Sequence, residues 1–338
     1  MRMKRTVAAA LALGGLVASA TAGSQADASP KHEGFTFAVI GDIPYGAAQI
    51  ANFPNVISQI NADRDVRMVM HAGDIKSGSS LCTDDYFALI RSDFDMFVDP
   101  LVYTPGDNEW TDCHRTNNGG YNPLERLAAV RAEFFPVPGR TLGQHAVAVK
   151  SQNRIGFPEN VSFDRDDVAF GVVNVPGSNN SLVTWTGQTG PTPEQLAEVT
   201  ARTNADLKLI KDTFAHARDE HSKAVVLMLQ ADMFDPTVAN PAFADYSGFQ
   251  TIVATIAAES ARFAKPVLLL NGDSHIFTQD HPLAAGSSWL SFYGVTTVAP
   301  NLTRVTVDGS TGVNDWLKVT IDEHDPSVLS WVKVPFLP

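Results

Sequence analysis

The pair Gly-Asp occurs four times in this chain, at Gly41-Asp42, Gly73-Asp74, Gly106-Asp107 and Gly272-Asp273. Each pair comes directly after, or within two residues of, a short apolar run: FTFAVIGD, VRMVMHAGD, LVYTPGD and PVLLLNGD. Runs of this kind read as buried strands, and in an open α/β sheet the carboxyl ends of strands line the ligand crevice. The four carboxylates are therefore expected to converge. Glycine before each lets the backbone turn sharply. Carboxylates gathered in one crevice raise one another's pKa unless positive charge sits among them. Two divalent cations would neutralise four such charges, so the pattern points to metal chemistry. A single Gly-Asp reads equally well as a turn or a helix cap; its repetition after strands carries the inference.

The elements that must position these residues follow from periodicity. Apolar runs at residues 35–40, 66–71, 101–104, 224–229 and 266–270 predict buried strands. Amphipathic stretches at 54–62, 84–97, 124–135, 194–217 and 249–264 predict helices between them. That alternation is the signature of βα units and a largely parallel sheet. The fourth helix has a start signal, because Thr192 can cap, Pro193 suits the first helical position and Gln195 completes a capping box. Residues 146–175 and 289–334 break the alternation with consecutive strand-like runs, clearest at 168–175 and 316–321. Strands without intervening helices predict a second sheet packed on the first. No repeat, low-complexity block or linker divides the chain beyond its first residues.

Composition sets the surroundings of that site. The chain has 338 residues, 44% of them hydrophobic, and a formal net charge of −12. Such a surface repels nucleic acid and anionic membrane, so no nucleic-acid partner is expected. Residues 1–28 read as a cleavable leader: Arg2, Lys4 and Arg5 precede an apolar run at 7–18. Two cleavage sites are available, Ala20-Thr21-Ala22 and Ala26-Asp27-Ala28. Residues 29–338 are expected to form one domain. No later segment approaches the ~18 to 20 uninterrupted apolar residues of a membrane span, so no membrane anchor is expected. These features predict a secreted or periplasmic protein. Cys82 and Cys113, both beyond the leader, are expected to form one disulfide in that oxidising compartment.

Taken in order, five segments resemble the motif series of the calcineurin-like metallophosphoesterases. They are Gly41-Asp42-Ile43-Pro44, Gly73-Asp74-Ile75, Gly106-Asp107-Asn108-Glu109, Leu229-Gln230-Ala231 and Gly272-Asp273-Ser274-His275. The family pattern reads D-x-H, G-D, G-N-H-D/E, a His after a strand, and G-H-x-H. The resemblance spans residues 35–275 and implies an α/β fold of four layers, an α/β/β/α sandwich with two packed mixed β-sheets flanked by helices. Carried over by position, Asp74 would bridge two metals, Asp42 and His275 would bind the first, and Asp107 and Asp273 the second. Gln230 falls where a metal-binding His is expected. Asn108 replaces the His that contacts phosphate and assists the leaving group; it would hydrogen-bond the phosphoryl oxygens without acting as an acid. Pro44, Asp107 and Asp273 are further departures, and His275 is the one typical His retained.

Gln230 and Asp273 put oxygen where the family has imidazole nitrogen. Oxygen-rich sites suit Mg²⁺, Mn²⁺ or Ca²⁺ over Zn²⁺. Extra anionic ligands also make an ion a poorer Lewis acid, so hydrolysis is expected to be weak or to have an alkaline optimum. The resemblance thus implies a phosphoesterase that uses one or two divalent ions and a metal-activated water on a small phosphate mono- or diester, and the leader implies that it is exported. The alternative is a non-catalytic metal- or ligand-binding protein with a degenerate site. Around the ligands, Tyr45, Arg115 and Asn174 are candidate substrate contacts. His71 is placed to support Asp74 or to serve as a core residue. Trp110, Asp112 and His114 share a loop pinned by Cys113, and Asp232 could stand in for Gln230.

Overall fold

The structure is a computed structural model that describes residues 34–337. The leader expected over residues 1–28 lies outside the described residues. In chain order the elements are β1 (Thr36–Ile40), α1 (Gly46–Ala62), β2 (Val66–His71), α2 (Asp84–Phe94), β3 (Leu101–Tyr103), α3 (Pro123–Phe134), β4 (Lys150–Gln152), β5 (Phe157–Arg165) and β6 (Val168–Val172). A short turn, α4 (Gly177–Ser181), precedes α5 (Pro193–Asp219), β7 (Ala224–Met228), α6 (Gln250–Phe263), β8 (Val267–Asn271) and β9 (Thr278–Asp280). The chain ends with α7 (Ser288–Phe292), β10 (Leu302–Thr306), β11 (Asp315–Ile321) and β12 (Leu329–Pro335).

All five runs read as buried strands are strands, and they divide between two sheets. One sheet has the order β12-β11-β1-β2-β3, the other β4-β5-β6-β7-β8-β10-β9. The centre of each is parallel: β1 with β2 and β2 with β3, then β6, β7, β8 and β10. The edges β11–β12, β4–β5 and β9 are antiparallel. Successive side chains of a strand point to opposite faces, and β1 uses both. Phe37 and Val39 join the core between the sheets, with Phe170, Met228 and Leu270 of the second sheet. Ala38 and Ile40 point the other way, onto Phe53, Ile57 and Phe94 of the helices α1 and α2. The second sheet repeats this, with Val225 and Leu227 packing on Phe214 of α5 and Ile256 of α6. The result is the expected four-layer α/β/β/α sandwich.

Three expectations need correction. Helix α1 begins at Gly46 and runs through Pro54, not from it. Burial of Phe53, Val56, Ile57 and Ile60 against the sheet outweighs the backbone hydrogen bond that the proline forfeits. Residues 288–292 form a short helix, not a strand, and Trp289 and Phe292 pack edge to face at 5.2 Å in an aromatic cluster. The late strands also do not share one sheet: β10 pairs with β8, whereas β11 pairs with β1. Alternation of apolar residues encodes a buried face but not the partner strand.

The capping box is as expected, with Gln195 N–H on Thr192 Oγ1 at 3.2 Å and Thr192 N–H on Gln195 Oε1 at 3.3 Å. Cys82 and Cys113 are disulfide-bonded, with Cα atoms 5.9 Å apart. Among the described residues no helix is long and apolar enough to cross a membrane.

Candidate metal centre

The carboxyl ends of β1, β2 and β3 in one sheet and of β7 and β8 in the other meet at the seam between the sheets. Asp42, Asp74 and Asp107 follow the first three, and Asp273 and His275 follow β8. Two overlapping groups have ligand atoms within 4.8 Å of one another: Asp42, Asp74 and His275, then Asp74, Asp107 and Asp273. The four Gly-Asp carboxylates do converge, and Asp74 belongs to both groups.

Backbone strain marks the same residues. Asp42, Asp74, Asp273 and His275 have φ of 53°, 57°, 75° and 62°. A non-glycine residue in this left-handed region costs about 1 to 2 kcal/mol, and such strain persists where surroundings over-determine it. Those surroundings are hydrogen bonds between the loops. Asp42 N–H donates to Gly73 O at 2.9 Å, and Asp273 N–H donates to the Asp42 carboxylate at 3.0 and 3.1 Å. His71 Nε2–H donates to Ile43 O at 3.0 Å, and its Nδ1 accepts from Gly73 N–H at 3.2 Å. Burial pushes His71 down to about 4, so the ring is neutral. It is a core residue that ties the Asp42 loop to the Asp74 loop.

Two of the four glycines serve a purpose other than the one expected. Only Gly73 of the four has a positive φ, at 91°. A Cβ on Gly106 would lie 2.1 Å from Asp74 Oδ1, and one on Gly272 would lie 2.1 Å from Asp42 Oδ2. These two are glycine because a carboxylate from a neighbouring loop occupies the space of a side chain.

Among the described residues, buried carboxyls outnumber the cationic groups here. Burial, then Asp107, Glu109, Asp42 and Asp273, hold the Asp74 carboxyl well above the usual range. Asp273 is raised well above that range by burial and by Asp107 and Asp42. Asp42 is also raised by burial, against the opposing pull of His275 at 3.3 Å. At His275 burial favours the neutral ring, but the Asp42 hydrogen bond and charge outweigh it and the pKa rises. Lys76 is fully buried nearby, yet its Nζ donates to Ser77 O, Asn108 O and Asn118 Oδ1 rather than to a carboxylate. Without a cation these carboxyls keep their protons to higher pH than ordinary carboxyls do; with one, the donor set of buried oxygens and one imidazole fits a divalent ion.

Several expected residues take other parts. Gln230 Oε1 accepts from Gly177 N–H at 2.5 Å, and its Nε2 donates to Asp74 Oδ2 at 3.2 Å. It therefore turns N–H rather than a lone pair toward the ligands. Asn108 has two side-chain hydrogens, and both are engaged, by Tyr45 OH at 2.7 Å and Asp74 Oδ2 at 2.8 Å. None remains for a phosphoryl oxygen in this arrangement. Asn174 does not reach the crevice: its amide donates to buried Glu159 at 3.1 Å. Asp232 is committed to an ion pair with Arg304 and to Ser274 Oγ. His114 lies against Thr186, and Trp110 is buried beneath Arg202. Tyr45 does lie in the crevice, its hydroxyl on Asp74 Oδ2 at 3.0 Å. Arg115 sits at the rim, 40% exposed and paired with Asp112 at 2.7 Å.

Sequence reasoning missed two parts. Glu109 is buried, and its Oε1 accepts from Gly106 N–H and Tyr103 OH at 2.7 Å and from Asp74 N–H at 3.2 Å, so it fixes the loops after β2 and β3. The other is α4, where Ser178, Asn179, Asn180 and Ser181 all have left-handed φ, from 49° to 65°. The small-residue run Gly177-Ser178-Asn179-Asn180, separated from β6 by four residues, is its only signal. Ser178 and Asn179 also line a cleft of about 580 Å³ that reaches Asp273 and has Asp235 and Tyr246 on its far wall.

Residues 35–253 match the family model described as calcineurin-like phosphoesterase. No curated protein matches. Among solved structures, the sulfate thiohydrolase SoxB of Thermus thermophilus in complex with glycerol is 18% identical over 85% of this chain, with a TM-score of 0.39. The chain spans 42% of that structure's length. GAP50, the anchor in the inner membrane complex of Plasmodium, is 10% identical over 90% of this chain and 89% of its own, with a TM-score of 0.41. The family match covers well over half of the sequence and every strand-end carboxylate of the first sheet, and with it the chain belongs to the calcineurin-like phosphoesterase family.

Proposed function

We propose that this chain is an exported, metal-dependent phosphoesterase that hydrolyses small phosphate mono- or diesters. The observation that carries this is the pair of overlapping ligand groups that share Asp74. Bound divalent ions would neutralise the crevice and polarise a phosphoryl oxygen. Asp42, Asp74 and His275 would hold one ion, and Asp74, Asp107 and Asp273 the other. The oxygen-dominated set favours Mg²⁺, Mn²⁺ or Ca²⁺ over Zn²⁺. His275 must give up its proton to ligate, and Asp42, whose hydrogen bond raises its pKa, is the partner it would then share with the ion.

The residues around the ions support a small substrate. Arg115, half-buried, paired with Asp112 and 3.5 Å from Ser178 Oγ, is a cation beside the second ligand group that would meet an incoming phosphate. The cleft beside Asp273 has no lysine, arginine or histidine in its lining, so it suits an uncharged or cationic organic group over a polyanion. The disulfide between Cys82 and Cys113 supports export.

A second reading, a non-catalytic binding protein, is favoured by one observation: both Asn108 hydrogens are turned inward, onto Tyr45 and Asp74, and an amide cannot protonate a leaving group. Metal analysis of the purified protein, then hydrolysis of p-nitrophenyl phosphate and bis-p-nitrophenyl phosphate with Mn²⁺, Mg²⁺, Ca²⁺ or Zn²⁺, separates the two. The enzyme reading expects activity with at least one of the first three ions, rising toward alkaline pH and lost in Asp74→Ala. A wild type that is inert with every ion and both esters leaves the binding protein.

A further inference from the structure

We propose that Ser178 Oγ is a ligand of the second ion, at the position Gln230 leaves unfilled. This rests on the metal-centre reading above.

Ser178 Oγ lies 2.8 Å from Asp107 Oδ2 and 2.8 Å from Asp112 Oδ1. A hydroxyl has one hydrogen and two acceptor lone pairs. It cannot donate to both carboxylates at once. With Asp107 committed to an ion, the hydrogen goes to Asp112, whose other oxygen pairs with Arg115 at 2.7 Å; Arg115 Nη2 also lies 3.5 Å from Oγ. With the hydrogen on Asp112, a lone pair of Oγ faces Asp107. Two oxygens that both ligate an octahedral ion at about 2.1 Å lie roughly 3 Å apart, close to the separation seen. A neutral hydroxyl is an accepted ligand for a hard cation, as in phosphate-binding loops where a Ser or Thr meets Mg²⁺.

The backbone is built to place that oxygen. A Cβ on Gly177 would lie 2.8 Å from Asp107 Oδ2 and 2.8 and 2.9 Å from the two Asp273 oxygens, so the turn presses directly on the second ligand group. Four consecutive left-handed residues begin at Ser178, and the three after it are clamped from outside. Asn179 Oδ1 accepts from Gly248 N–H at 2.7 Å, Arg202 donates to Asn180 O at 3.1 Å, and Gln195 donates to Ser181 O at 2.6 Å. The same turn holds Gln230 away, because Gly177 N–H occupies its carbonyl oxygen. One element thus removes one oxygen ligand and supplies another.

The test is Mn²⁺ binding to the full-length mature chain by titration calorimetry, with electron paramagnetic resonance to detect coupling between paired ions. Ser178→Ala removes the oxygen, and Ser178→Gly removes it while relieving the left-handed backbone, which guards against a folding artefact. Both variants are expected to bind one ion at least tenfold more weakly than wild type and to lose the coupled signal. Asp42→Asn is expected to weaken the other ion instead. Less than a tenfold loss in both serine variants overturns the ligand assignment while the metal centre stands. A wild type that binds no divalent ion overturns the metal-centre reading, and the assignment with it.

Discussion

His71 and Gly106 show how single residues secure the crevice. His71 is fully buried and neutral, and its pKa of about 4 lies below the ordinary 6.5. Between those values the unfolded chain binds a proton that the folded protein does not, so this residue's contribution falls as pH drops through the window. At pH 4.5 the loss relative to pH 7 is roughly 2 to 3 kcal/mol. His71→Asn keeps an acceptor but cannot titrate. Its stability deficit, measured by denaturant unfolding, should therefore shrink by that amount between pH 7 and pH 4.5; a deficit independent of pH refutes the assignment. Gly106→Ala would drive a methyl into Asp74 Oδ1 and the Asp74 backbone nitrogen. It should cost about 1 to 3 kcal/mol and weaken Mn²⁺ binding. Gly190→Ala, with no neighbour within 4 Å, should stay within about 0.5 kcal/mol. Equal costs for the two would contradict the close-approach account. The strand-end aspartates were legible because each follows a recognisable strand. Ser178 was not, since its position depends on clamps from Gln195, Arg202 and Gly248, up to 70 residues away.

Elements were legible where their signals are local. The start of α5 is written in Thr192, Pro193 and Gln195, whose groups satisfy one another within four residues. The start of α1 is not, because Gly46 follows Tyr45, which makes no side-chain cap, and the helix is held by Phe53 and its neighbours against the sheet. The split of β10 and β11 between two sheets was likewise hidden, for pairing is decided by the whole core. The disulfide joins the two scales. It closes a span of 31 residues from the segment before α2 to the loop that carries Asp107 through Arg115. Both Sγ atoms rest 3.5 to 3.6 Å from Asn108 O, directly behind the ligands. Loop-closure entropy assigns this crosslink roughly 3 to 4 kcal/mol. The paired variant Cys82→Ala with Cys113→Ala should lose about that much in denaturant unfolding, and wild type in a reductant should match it. A loss below about 1 kcal/mol would show that the loop is held by other contacts, such as Lys76 on Asn108 O.

At the scale of the whole molecule, each ligand group draws from both sheets. Asp42, Asp74 and Asp107 come from the first sheet, Asp273 and His275 from the second. An ion bound to either group therefore crosslinks the sandwich at its seam, and stability should follow ion and proton together. In the metal-free protein, Asp42, Asp74 and Asp273 have pKa values raised above 3.8, chiefly by burial, and that of His275 is raised above 6.5. The folded state then binds more protons than the unfolded chain, so these groups contribute stability at low pH that is lost as pH rises through their folded values. Divalent ions compete for the same atoms and bind the folded state best once those protons have left. A free ion at one hundred times its dissociation constant adds about 2.7 kcal/mol. Thermal unfolding in EDTA should accordingly show a carboxylate- and histidine-dependent decline from pH 5 to pH 8. Mn²⁺ should raise the midpoint more at pH 8 than at pH 5, and Asp74→Asn should flatten both trends because it removes the residue common to the two groups. If Mn²⁺ shifts the midpoint equally at the two pH values, or not at all, protons and ions are not exchanging at this seam, and the cluster is a structural knot of protonated carboxyls rather than a metal centre.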